Sequence, residues 1–157
     1  MATINNEMRV TLSPQSCNEA VARSVVTAFA MQTDPSVTEL ADIKTAVSEA
    51  VTNAIVHGYR HTSGNVEITC RILNGDIFYI KVRDRGCGIA DIQKAMEPLY
   101  TSVPEEERAG LGFAVMESFM DSVRVISKVG KGTSIIMKKR ILSASLVGMG
   151  VNENECG

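Results

Sequence analysis

Residues 45–57, TAVSEAVTNAIVH, restrict the fold more than any other stretch of the chain. Glu49, Asn53 and His57 recur every four residues, so a helix of about 3.6 residues per turn places them on roughly one face. Ile43, Val47, Ala50, Val51 and Ala54 fall on a different, apolar face with the same period. The segment therefore predicts a helix with one buried side and one polar side. That polar side holds a carboxylate and an amide among small residues, with no Lys or Arg in residues 45–57. A solvated helix face usually carries charges of both signs. Something other than water is expected opposite Glu49 and Asn53.

A chain of 157 residues suits a single domain with a real core. With 16 basic against 18 acidic residues there is no surplus of positive charge, which argues against direct binding of nucleic acid. Aromatic residues make up 4% and Trp is absent, which disfavours a platform for stacking bases. Cys17, Cys70, Cys87 and Cys156 show no CxxC spacing, and with only two His the chain offers no zinc pattern. Free thiols in a reducing compartment are the expectation. The N-terminus lacks an apolar signal core, and no run of about 18 apolar residues exists. The expected location is cytoplasmic, without a membrane span.

Residues 8–12 alternate as a short strand, and Ser13-Pro14 stops them. Residues 15–32 read as a helix whose apolar positions include Ala20, Val21, Val25, Ala28 and Phe29. Arg23 lies off that stripe and is expected to be exposed. Asp34-Pro35-Ser36 punctuates the chain, and Ser36 or Thr38 is placed to cap the helix carrying Glu49. Gly58 is the candidate end of that helix. Residues 66–73 and 77–82 are strands joined by Asn74-Gly75-Asp76, a hairpin signal.

The second of these strands runs into Asp84-Arg85-Gly86-Cys87-Gly88-Ile89. Glycines two apart allow a sharp turn and a close backbone approach. Plain turns and calcium loops also contain DxGxG, but no oxygen ligands recur here at alternate positions as a calcium loop requires. Residues 91–96 form one or two helical turns. Residues 97–109 hold two prolines and five charges with little to bury, so they read as a mobile, lid-like loop. Gly110-Leu111-Gly112-Phe113 then opens a helix. Such a start either presents amides to an anion or is a simple turn. Residues 123–127 and 133–139 form a second hairpin, and residues 141–157 form a tail with a disordered end.

The order of elements gives helices over a mixed, mostly antiparallel sheet, an α+β two-layer sandwich in residues 1–140. Four weak signals suit one ligand. An Asn amide oxygen can hold Mg²⁺. A glycine-flanked amide row can hold phosphates. A strand-end Asp can accept from an exocyclic amine. A Glu one helical turn before the Asn can act as a general base.

EAVTNAIVHG, DRGCGI, GLGF and GKGT resemble the sequence boxes of the GHKL (Bergerat-fold) ATPases and kinases, over residues 8–140. VSEAVTNAIVHGY, PLYTS, ERAGLGFAVMESFMD and ARSVVTAF are closest to the small serine kinases that act as anti-sigma factors, in the sporulation branch. The resemblance implies ATP and Mg²⁺, with Asn53 on the metal and Glu49 accepting the proton of the substrate serine. It places Asp84 on the adenine amine, with Gly86 and Gly88 close by. Gly110, Leu111 and Gly112 would line the phosphates, Thr133 would reach the base region, and Arg108 would neutralise charge on the γ-phosphate. Arg23 matches a partner-contacting position. His57 holds a commonly shared position that helix packing explains equally well. Cys87 occupies a variable position and introduces a thiol beside the nucleotide.

The implied activity is inhibition of a sigma factor, sigma F in the sporulation branch, together with phosphorylation of a serine on an anti-anti-sigma factor. A homodimer is implied as well, with the first strand and helix as its surface. The rivals are a stress-response kinase for another sigma factor and an ATP-gated binding module without transfer. A histidine kinase lacks its preceding phosphoacceptor hairpin here, and a gyrase-like ATPase lacks its following domain.

Overall fold

The computed structural model describes residues 1–60, 62–97 and 109–142. Arg108, most of the expected lid and the tail with Cys156 lie outside these residues. Five strands, β1 (Ile4–Leu12), β2 (Val66–Leu73), β3 (Ile77–Asp84), β4 (Ser122–Lys128) and β5 (Gly132–Arg140), form one sheet in the order β1-β2-β3-β5-β4. All four pairings are antiparallel, so the sheet contains no parallel pair among the described residues. Helices α1 (Asn18–Ala30), α2 (Val37–Thr52) and α4 (Ala109–Phe119) make the second layer, and the four-residue α3 (Ile92–Ala95) follows β3. This is the two-layer α+β sandwich.

Helix α2 lies between α1 and α4. It begins where its sequence dictates. The Ser36 side chain accepts from the Glu39 amide, and the Glu39 carboxylate accepts from the Ser36 amide, a reciprocal capping box. The expected stripe is buried throughout: Ile43 and Ala50 are wholly covered, as are Val47, Val51 and Ala54 to within 2%. Each such large aliphatic side chain contributes roughly 1.5–3 kcal/mol by leaving water.

Helix α1 departs from its expected face. Ala22, Val26, Phe29 and Ala30 are its buried residues, whereas Ala20, Val21 and Ala28 are exposed and Val25 is half-buried. Apolar residues surround this helix, so its periodicity supports two faces. The sheet selects the one that puts Phe29 against Phe78, with ring centroids 6.3 Å apart. Arg23 is exposed, as expected from its place off either stripe.

Both hairpins form. Asn74 and Gly75 take positive φ at the first turn, and Gly130 and Gly132 do so at the second. Strand β1 extends four residues further toward the N-terminus than its alternation indicates. Ile4, Asn5, Asn6 and Glu7 are all exposed, and their pairing with β2 creates the strand.

Candidate functional site: the α2–α4 cleft and the Asp84 loop

Helix α2 does not continue to Gly58 as a regular α-helix. After Thr52 the chain widens into a π-helical turn, Asn53–Gly58, in which the Tyr59 amide reaches the Ala54 carbonyl at 3.2 Å. Glu49 thus stands in the last α-helical turn and Asn53 at the first residue of the wider turn. His57 lies a full turn beyond, with its Nδ1 3.3 Å from the Arg60 guanidinium and its carbonyl accepting from the Cys87 thiol.

Gly112 brings α4 against this polar face. A β-carbon at Gly112 would stand 3.2 Å from Glu49 Oε2 and 3.6 Å from both amide atoms of Asn53. Gly110, Leu111 and Gly112 lie inside the first turn of α4 rather than before it. The structure thus brings Gly112 of α4 to the face that Glu49 and Asn53 share. The Asn53 amide nitrogen is buried with no hydrogen-bond partner among the described residues. A buried orphan of this kind costs roughly 1–3 kcal/mol and suits a group awaiting a ligand.

Burial pushes the Glu49 carboxyl above its ordinary value, and the negative charge of Glu19 pushes it the same way. Glu19 is a neighbour that the sequence reading did not single out. It accepts the Ser48 hydroxyl at 2.5 Å and lies 3.8 Å from the Arg23 guanidinium. The four-residue spacing of Glu19 and Arg23 was the signal available for it. Arg23 and Lys44 also flank a groove of about 730 Å³ between α1 and α2, lined by Ser24, Thr27, Ala28, Thr45 and Ser48.

The second half of the site is built from the end of β3. Asp84 is 6% exposed and stands opposite Thr133 in the β3–β5 register. Desolvation raises its pKa, and hydrogen bonds from the Gly86 and Thr133 backbone offset part of that rise. The loop after Asp84 is fastened on two sides. The Cys87 amide donates to the Gly58 carbonyl at 2.8 Å, and the Gly130 amide donates to the Cys87 carbonyl at 2.8 Å. Gly88 takes φ +74°, and a β-carbon there would meet the Lys128 carbonyl oxygen at 2.3 Å.

The Thr133 hydroxyl bonds Ser127 Oγ at 2.7 Å, and the same Ser127 oxygen accepts from the Ile89 amide. Ser127 is a further residue missed from sequence, because it looks like any small polar strand residue. The Asp84 carboxylate also lies against Gly58, where a β-carbon would approach it to 2.7 Å. The end of the π-turn, the Asp84 loop and the second hairpin thus form one floor.

This arrangement fits a nucleotide: a buried carboxylate at one end and, at the other, a half-buried carboxylate beside an orphaned amide N–H that calls for an acceptor such as a phosphate oxygen. Among the described residues no group of His, Cys, Asp or Glu forms a metal cluster by itself. Asn53 would be a lone protein ligand, as suits Mg²⁺, which keeps most of its other oxygens from water and phosphate. No helix of the described residues is long and apolar enough to cross a membrane.

Residues 12–139 match the family of the histidine kinase-like ATPase domain. The anti-sigma F factor of Clostridium acetobutylicum is 53% identical over 137 residues, covering 87% of this chain and 95% of that protein. The anti-sigma F factor of Geobacillus thermodenitrificans is 49% identical over 138 residues, covering 88% and 94%. Among solved structures, the RsbU and RsbW domains of a Mycobacterium tuberculosis protein superpose with a TM-score of 0.64 at 20% identity, over 87% of this chain and 32% of that one. The histidine kinase domain of an Erythrobacter litoralis blue-light activated histidine kinase gives 0.55 at 18% identity, over 83% and 64%. These two likenesses bear on the fold alone. The chain belongs to the histidine kinase-like ATPase family, within its group of anti-sigma F factors.

Proposed function

We propose that the protein inhibits sigma factor F and uses Mg²⁺–ATP to phosphorylate a serine of an anti-anti-sigma factor. The observation that carries this reading is the placement of Gly112 against Glu49 and the orphaned Asn53 amide. Mg²⁺–ATP, when bound, supplies the transferable phosphoryl group and the charge that screens it. Asn53 would hold the metal through its amide oxygen. Asp84 would accept from the adenine amine, with Thr133 beside it, while Gly86 and Gly88 let the loop pack closely on the backbone of Gly58 and Lys128 and so hold Asp84 in place. Gly110, Leu111 and Gly112 offer backbone amides to the phosphates from the first turn of α4.

Glu49 then takes the proton of the serine hydroxyl. Its raised proton affinity, from burial and from Glu19, makes it a stronger base than an exposed carboxylate. A binding module without transfer has no use for a half-buried carboxylate at that point. Arg108 neutralises phosphate charge from the end of the lid. Arg23, exposed on α1 at the mouth of the α1–α2 groove, contacts the protein partners. Residues 1–140 act as one unit, a homodimer in the cytoplasm.

The test is a pull-down of sigma factor F and its antagonist with ATP and with ADP, followed by mass spectrometry for phosphoserine. Nucleotide-dependent capture of sigma F with phosphoserine on the antagonist is expected, and Arg23→Glu should reduce capture without changing ATP affinity. Capture without phosphoserine would leave the ATP-gated binding module. Capture of a different sigma factor would move the protein to the stress-response kinases.

A further inference from the structure

The helices cover one face of the sheet. Alternate residues of each strand point to the other face, and cross-strand partners share a face. On that open face the register aligns Arg9, Thr69, Lys81, Ile136 and Arg124 in one row across all five strands. At about 4.8 Å per strand the row is ~19 Å long. It holds three cations and no carboxylate. The adjoining row on one side is Glu7, Arg71, Tyr79, Lys138 and Ser122, and on the other Thr11, Glu67, Arg83, Ser134 and Ile126.

The charge on this face is divided unevenly. Its strand carboxylates, Glu7 and Glu67, belong to β1 and β2. Glu7 pairs with Arg9 and Arg71, and Glu67 with Arg83 and Arg85. Arg140 pairs with Asp76 of the first turn. Lys81, Arg124, Lys128 and Lys138 have no ion pair among the described residues, and all four lie on β3, β4 and β5. Between them sit Ile136, half-buried, and Ile126, 49% exposed. A chain whose net charge is −2 thus concentrates unneutralised cations around an apolar centre, on the face turned away from Glu49 and Asn53.

We propose that the β3–β5–β4 half of the open face docks an acidic protein surface, with carboxylates over Lys81, Arg124 and Lys138 and an apolar side chain against Ile136 and Ile126. Charge complementarity selects this occupant. A second copy of the same face would have to set these cations against Glu7 and Glu67, which Arg9, Arg71, Arg83 and Arg85 already neutralise, so it offers no free carboxylate. Nucleic acid fits less well. Tyr79 is the face's one ring, and the Arg71 guanidinium already lies 5.3 Å from its centroid, so no free ring remains for a base. Two isoleucines gain nothing against a phosphate backbone, whereas an apolar centre with a charged rim is the anatomy of a protein interface. Because the face is across the sheet from the nucleotide site, this partner and the nucleotide bind together.

The experiment measures binding of two labelled probes, a random glutamate–tyrosine copolymer and a DNA duplex, at about 150 mM salt, where distant charges are screened. The wild type is expected to bind the copolymer more tightly than the duplex. Lys81→Glu/Arg124→Glu/Lys138→Glu should weaken copolymer binding at least about tenfold. Ile136→Ser should weaken it by a smaller factor. Lys44→Glu, on the helical side, should leave it unchanged, and ATP affinity should be equal in all variants. If charge reversal prevents folding, judged by circular dichroism, the corresponding triple glutamine variant replaces it with the same expectation. The proposal is overturned by copolymer binding that is absent or indifferent to these strand substitutions, by equal loss in Lys44→Glu, or by tighter binding of the duplex.

Discussion

Gly86 rests on the carbonyl of Gly58: a β-carbon at position 86 would lie 1.7 Å from that oxygen and 2.2 Å from its carbon. The contact is backbone against backbone, so no side chain can swing aside to relieve it. Gly86→Ala must push the Asp84 loop away from the π-turn and break the Cys87 amide bond to Gly58. We expect a loss of about 1–3 kcal/mol in stability together with weakened ATP binding. Denaturant unfolding and nucleotide titration check both. Gly75→Asn is the control, at a positive φ with nothing within 4 Å, and should change little. A Gly86→Ala protein as stable and as tight for ATP as the wild type would contradict the contact.

Asp84 makes stability depend on pH in a stated direction. Its folded pKa is raised by burial above the ordinary 3.8, so the folded protein holds the proton more tightly than the unfolded chain. Stability from this group is present below 3.8 and falls as pH rises through the folded value. Asp84→Asn should flatten that part of the stability–pH curve while weakening nucleotide binding. An unchanged slope would show that Asp84 is not the group responsible.

Glu49→Gln should retain nucleotide binding and sigma inhibition but lose on the order of 10²–10⁴ in phosphotransfer rate. Glu19→Gln offers a finer test, since the Glu19 charge is the second cause of the raised Glu49 value, after burial. Removing it should move the acidic limb of the rate–pH profile toward lower pH without abolishing transfer. A Glu49→Gln enzyme that transfers phosphate at the wild-type rate would remove Glu49 from the mechanism.

Asn53→Ala and metal chelation should act on the same interaction. In the wild type, EDTA is expected to weaken ATP binding. In Asn53→Ala, affinity should already be lower, and EDTA should lower it by a smaller factor, because effects on one contact do not add. Equal chelator effects in the two proteins would place the metal elsewhere.

Much of the fold follows from local chemistry. The Ser36–Glu39 cap, the buried stripe from Ile43 to Ala54 and the turns at Asn74-Gly75 and Gly130 each depend on residues close in sequence, and each is where the chain indicates. The placing of Glu49 and Asn53 on a face away from the core was legible for the same reason. Helix α1 was legible only in part: Phe29 is buried as expected, but apolar residues surround the helix, and only the sheet decides that Ala22 and Val26 rather than Ala20 and Val21 turn inward with it.

By itself, then, the sequence determined which segments are helix or strand, which face of α2 is buried, and which residue types suit a metal-bound nucleotide. The tertiary structure decided the rest. It widened α2 into a π-turn at Asn53, a change no local signal marks, and it seated Gly58 under Asp84 and Gly86. It set Glu19 beside Glu49 and gathered Arg9, Lys81 and Arg124 into one row across the sheet. These relations join residues far apart in the chain. Spacing along one element reports only on that element, whereas strand register and close packing set what stands opposite it.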